Sequence, residues 1–215
     1  MSMSNLLHRL EIQLAAQYPD ILRSLNPPAT LDQIAAFEAE VGQSLPEDVK
    51  AAYLWHNGSG DPRLNISFVP PDESFLLIDN GRWLALDEML TQWHMQNNMA
   101  EGDDYAYAED EDPQQWAKCV WRPWMMPPLT WLALGRSCSQ NHVYIDFQPA
   151  PMGQSGQLIF FALQGYEHYV APSLQAYFTM FVEALERKGL RYDLQYQQWL
   201  GLDEAYNKAG FKQSW

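Results

Sequence analysis

The sequence predicts an α+β fold: N-terminal helices, a central and mostly antiparallel sheet, and a closing helix packed on that sheet. Three observations predict it. Apolar residues recur at helical spacing through the first 60 positions, strand-like patterns take over from about Ile66, and a wide helical stripe returns after Ser173. Leu6, Leu7, Leu10 and Leu14 make the first helical face, and Ile34, Phe37 and Val41 make the second. Thr30 followed by Gln33 is a capping-box pattern, and Gly42 stops that second helix. A third helix begins near Pro46, where a missing N–H is harmless, and Glu47 and Asp48 sit where the helix dipole favours anions. Val49, Tyr53 and Leu54 give it an apolar stripe, and Asn57-Gly58 supplies the left-handed residue that ends it.

The strands follow. Phe75-Leu76-Leu77-Ile78 leads through Asp79-Asn80-Gly81 into Trp83-Leu84, the pattern of a strand and tight turn. Asp87 is placed to cap a helix carrying Met89, Leu90 and Trp93. Residues 129–134, 142–147 and 157–163 read as three more strands. In the second of these, Val143, Ile145 and Phe147 alternate with His142, Tyr144 and Asp146, which predicts a half-buried strand. The run Leu158 to Leu163 is apolar on both faces and is expected to be the central strand. A short strand near Tyr169-Val170 precedes the closing helix, whose stripe is Leu174, Tyr177, Phe178, Phe181 and Leu185, with Gly189 ending it.

The chain has 215 residues, 13 Lys and Arg against 27 Asp and Glu, and a net charge of −14. Its 47% hydrophobic content, with 13% aromatics, is enough for a core and excludes wholesale disorder. The acidic balance argues against nucleic acid as a partner, because phosphate contacts need clustered cations, and suits a protein that meets something basic. Cys119 and Cys138 are too few for a disulfide framework and are ordinary free thiols in a reducing compartment. The start, Met-Ser-Met-Ser-Asn, has no basic segment leading into an apolar one, and no apolar run is long enough to span a bilayer, so the expected location is the cytoplasm.

Two segments stand apart from the expected domain, residues 1–189. An acidic insertion at 101–115 holds seven acids and no base within 101–112, half of the whole net charge. Residues 190–215, with Tyr192, Tyr196, Trp199, Tyr206, Phe211 and Trp215, form a C-terminal appendage too aromatic for a solvated tail.

Four stretches, in order, carry a resemblance. Leu45-Pro46-Glu47-Asp48-Val49-Lys50 leading to His56-Asn57-Gly58 is the first, and Trp124 to Trp131-Leu132-Ala133 the second. The third is Tyr144-Ile145-Asp146-Phe147-Gln148-Pro149 followed by Gly153 and Gly156-Gln157, and the fourth is Val170-Ala171-Pro172-Ser173-Leu174. Together they resemble the Smi/Knr family of the SUKH superfamily over residues 30 to 188. The resemblance implies a SUKH-like, non-enzymatic binding fold. Bacterial members are similar to immunity proteins that neutralise toxins, and fungal members to regulators of cell-wall assembly.

The signature residues themselves read as structural, since Pro46, Asn57, Gly58 and Asp146 all do ordinary work at helix ends and turns. An enzyme reading starts from Cys138, His142 and Asp146, but neither the spacing nor a Gly-rich oxyanion loop supports a nucleophilic site. His8, His56, His94, His142 and His168 are scattered, so no metal is expected, and no phosphate loop calls for a cofactor. The tryptophans around Arg122, namely Trp116, Trp121 and Trp124, divide between core and partner contact. The acidic run divides between a solvated loop and a docking surface.

The candidate partner-binding residues are therefore Asp103, Asp104, Tyr105, Tyr107, Glu109, Asp110, Glu111, Asp112, Trp121 and Trp124. The expected partner is a basic toxin domain that acts on nucleic acid, and the expected function is its neutralisation. A regulatory scaffold is the alternative, and an enzyme with an unrecognised site the remote one. Changing Asp103, Asp104, Glu109, Asp110, Glu111 and Asp112 to Asn or Gln should slow association at low salt and flatten its salt dependence. Salt of about 0.1 M screens such charges beyond roughly 10 Å. Substituting Tyr105 and Tyr107 should act on dissociation instead. Binding kinetics at low and high salt test both, and unchanged association in the six-site variant returns the run to solvated surface.

Overall fold

The computed structural model describes residues 2–61, 63–64, 66, 82–100, 119–120, 129–136, 142–162, 166–195 and 198–211. The predicted strand Phe75 to Ile78 lies outside these residues.

Four helices open the chain: α1 (Met3–Gln17), α2 (Pro19–Ser24), α3 (Leu31–Val41) and α4 (Glu47–Trp55). Their starts are local chemistry. Ser2 accepts the Asn5 N–H at the head of α1, and the Thr30–Gln33 capping box forms in both directions at α3, with bonds of 3.1 and 2.8 Å. Gly42 ends α3 in the left-handed region at φ 68°. The short α2 has no counterpart in the sequence reading, because six residues with only Ile21 buried leave no periodic stripe. In α1, Leu6, Leu10 and Leu14 are fully buried.

After β1 (Arg82–Trp83) comes α5 (Leu86–Ala100). Asp87 is its second residue and not its cap. The Glu88 carboxylate takes the Ala85 N–H at 2.9 Å and pairs with Arg82, which leaves Asp87 to accept the Glu88 N–H. The remaining strands of the main sheet are β2 (Trp131–Arg136), β3 (His142–Asp146), β4 (Gln157–Ala162) and β5 (Tyr166–Ala171). All four pairings are antiparallel, in the order β1-β2-β3-β4-β5, and the fold is α+β.

That order corrects the expected centre. β3 is the middle strand, and β4 lies between β3 and β5. The described residues of β4 are buried on both faces, a condition it shares with β3. β3 is the second correction. All five of its residues are buried, including His142, Tyr144 and Asp146, so it is not half-solvated. On one face Trp83, Val143 and Phe160 stand at the same level, and Trp83 meets Phe178 and Tyr53 with ring centroids 6.3 and 5.4 Å apart. On the other face Trp131, Tyr144 and Phe161 form an aromatic layer, with centroids 5.8 and 6.2 Å from Trp131. Alternation in sequence marked two faces correctly. It did not reveal that the second face is aromatic and covered.

Phe178 belongs to α6 (Leu174–Glu186), the closing helix. Ser173 caps it by accepting the Ala176 N–H at 3.1 Å. Its far end turns at Lys188, φ 55°, and the Gly189 N–H then bonds the Ala184 carbonyl at 2.8 Å. The left-handed residue is thus Lys188, and the expected Gly189 supplies the closing N–H one position later. Arg9 of α1 grips Glu186 with two bonds of 2.9 and 2.6 Å.

Beyond it, β6 (Arg191–Asp193) and β7 (Gln198–Leu200) form a two-stranded sheet, followed by α7 (Leu202–Ala209). Trp199 packs edge-on against Tyr18, Phe181 and Tyr192, with centroids 4.8 to 5.1 Å away. The Tyr18 hydroxyl donates to the Leu190 carbonyl at 3.0 Å, and the Tyr192 hydroxyl to that of Arg63 at 2.7 Å. These described aromatics therefore meet α1 and α6 of their own chain.

Phe160 is 3% exposed on the face toward α6. Phe160→Glu should cost several kcal/mol, because it buries a charge with no partner. Urea unfolding measures this, and a cooperative variant of unchanged midpoint would contradict the arrangement.

Candidate functional site

The four signature stretches are far apart in sequence, and three of them meet at one end of the fold. α4 and α6 both begin there, and residues 147–156 join β3 to β4 beside them. Asp48 reaches from α4 to accept the Gln175 N–H of α6 at 2.8 Å. Gln154 donates its amide to the Pro172 carbonyl, just before the α6 cap. A Cβ on Gly156 would stand 3.1 Å from the Pro46 ring, so loop and helix start are in contact.

Under the loop lies a buried polar network. Asp146 is fully buried at the end of β3. One carboxylate oxygen accepts the Gln148 N–H at 3.0 Å, the turn bond expected from its sequence position, and the other accepts the Gln157 amide at 2.9 Å. That amide also donates to the Cys119 carbonyl at 2.7 Å, and the Gly156 N–H reaches the Asp146 carbonyl at 2.7 Å. Gly153 sits where a Cβ would fall 2.5 Å from the Cys119 carbonyl and 2.6 Å from Pro149, so nothing larger fits. Burial raises the Asp146 carboxyl above its ordinary range, and the bonds from Gln157 and Gln148 only partly offset this. The Cys119 thiol is raised too, chiefly by burial, which makes it a poor nucleophile.

A second junction holds the other half of the first signature. The Asn57 side chain accepts the Leu86 N–H at 2.9 Å, its carbonyl accepts the Asn26 amide at 2.8 Å, and His56 Nδ1 lies 2.6 Å from the Asn26 carbonyl. Gly58 has φ 77°, and a Cβ there would collide with Leu84 and Ala85 at 2.6 to 2.8 Å. The structural reading of these residues holds in detail.

The ten predicted partner-binding residues, Asp103 through Asp112 with Trp121 and Trp124, lie outside the described residues, as do Trp116, Arg122 and Cys138. Of the enzyme constellation, His142 and Asp146 are described. They stand at opposite ends of β3, four positions and about 13 Å apart along the strand, so one does not act on the other. Among the described residues no group of three or more His, Cys, Asp or Glu is placed to hold a metal ion. No described helix is long and apolar enough to cross a membrane.

Comparison with protein families matches residues 28–180 to the SMI1 / KNR4 family (SUKH-1), a span that contains the first junction and, apart from Asn26, the second. The chain belongs to this family. The resemblance drawn over 30 to 188 has almost the same limits, while α1, α2 and β6 to α7 lie outside the match. No curated protein matches the chain.

The Asp146 proton gives a test of the network. The folded state holds that proton to higher pH than the unfolded chain, whose aspartate titrates at about 4. The associated stability is therefore complete below about pH 4 and is lost as pH rises through the raised value. Asp146→Asn removes the titration, so the stability difference, native minus variant, should fall with rising pH by at most about 1.4 kcal/mol per unit. Urea unfolding at a series of pH values measures it, and a rising difference would mean that the carboxylate is held charged.

Proposed function

We propose that this SUKH-1 chain is a cytoplasmic, non-enzymatic protein-binding domain that neutralises a cognate toxin domain, one that acts on nucleic acid. Family membership carries the reading, since the resemblance links bacterial members to toxin immunity. Electrostatics support it. Among the described residues Arg9, Arg23, Lys50, Arg63, Arg82, Arg187, Arg191 and Lys208 each lie within 4.0 Å of a carboxylate. These cations are engaged in local pairs, and the chain as a whole keeps a net charge of −14. A domain that grips phosphates must itself be basic, so an acidic inhibitor gains association rate by steering.

The signature residues support a scaffold role over a reactive one. Asp48, Asn57, Asp146 and Gln157 direct their polar atoms at backbone groups or at one another. They hold three segments in place and leave recognition to the surface around them.

Co-expression with the protein encoded by the adjacent reading frame tests this. Rescue of growth, with a complex of Kd below about 1 μM by calorimetry, is the expected result. Turnover that is lost in Asp146→Ala, while the variant stays folded, would instead establish an enzyme.

A further inference from the structure

The loop between β3 and β4 is fixed from below, and its tip is exposed among the described residues. Gln157 ties it to Asp146 and Cys119, and Gly153 is wedged against the Cys119 carbonyl and Pro149. Such anchoring selects one conformation before any partner arrives, which lowers the entropy lost on binding. At its tip Met152 is 72% exposed, the most exposed of the large apolar residues described, and Pro151 is exposed beside it. An unbranched thioether held out to water on a rigid loop is an adaptable apolar contact of the kind interfaces bury.

The border of this tip is acidic. Gly156 touches Pro46, and the next residue, Glu47, has a side chain 91% exposed. Glu38, near the end of α3, reaches the same corner, where it accepts the Leu45 N–H at 2.7 Å. Lys50 lies there too, but it is shared between Glu38 and Glu47 at 3.1 and 3.2 Å. No Lys or Arg occurs from residue 137 to 186. Among the described residues, Arg9, Arg187 and Arg191 lie at the other end of α6, about 20 Å along the helix, each beside a carboxylate.

The geometry points to a docking surface formed by the Met152 loop and its Glu47 border, shaped for a basic protein domain that offers an apolar pocket rimmed with Lys or Arg. It rests on the protein-binding reading above and names the surface that reading requires. A second copy of this chain suits the surface poorly, because two acidic borders would repel.

The test uses the full chain and, as probe, the protein encoded by the adjacent reading frame. Met152→Glu should raise Kd about tenfold or more, mainly through faster dissociation. Glu47→Lys should slow association at low salt, with the effect fading as salt rises. Leu194→Glu, at an equally exposed apolar position in the β6–β7 turn, should bind like the native chain. All three side chains are exposed, so thermal midpoints should stay close to the native one and separate binding from folding. If the native chain binds and both Met152→Glu and Glu47→Lys bind equally well, the surface is wrong and the protein-binding reading stands. If the native chain does not bind, the reading and the surface fall together. Concentration-dependent dimers abolished by Met152→Glu would give the surface to a second copy and overturn the proposal.

Discussion

A sheet covered on both faces has no solvent to turn its polar side chains toward, so each polar group that enters it needs a partner inside. That constraint organises this protein. β3 brings in Asp146 at one end, and the carboxylate is matched by the Gln157 amide and the Gln148 N–H. Unpaired, a buried carboxylate would cost several kcal/mol. Among the described residues its bonds come from an amide and the backbone, and burial makes the carboxyl hold its proton more tightly than usual.

Satisfying Asp146 has consequences for the loop above it. Gln157 cannot serve Asp146 without also meeting Cys119, and Gly153 has to approach the same carbonyl closely. The loop is thereby pressed against Pro46 and tied to Pro172, so the starts of α4 and α6 are brought to one place. The family signature is the sequence trace of this packing. Residues that look like scattered turn formers are parts of one contact set, and the exposed residues next to them, Glu47 and Met152, are free to differ in chemistry without disturbing it.

The opposite end of α6 is built from segments outside the family match. α1 supplies Arg9, the α1–α2 junction supplies Tyr18, and the segment after Gly189 supplies Leu190, Tyr192 and Trp199. These rings cover Phe181, which would otherwise meet water. Arg9, Arg187 and Arg191 pair with Glu186, Glu183 and Asp193 in this additional layer.

The sequence alone determined what depends on neighbours a few positions away. The Thr30–Gln33 box, the Gly42 helix stop, the Ser173 cap and, to within two residues, the spans of β2 to β4 are all settled within about four residues, so periodicity and side-chain type reveal them. By contrast, α4 ends at an extended His56, ahead of the expected Gly58. The Asp146 turn was legible for the same reason. Where the local pattern misplaced a role, a residue one position away took it: Glu88 the bond expected of Asp87, and Lys188 the left-handed conformation expected of Gly189. Only the tertiary structure decided that β3 is central and dry on both faces, because burial of a strand face depends on what another segment lays over it. Contacts such as Gln157 to Cys119 and Asp48 to Gln175 join positions 38 and 127 residues apart, and no local pattern encodes them. The acidic run announced itself by charge alone, whereas Met152 carries no such mark. Its prominence arises because a buried network fixes the loop beneath it, and that is a property of packing.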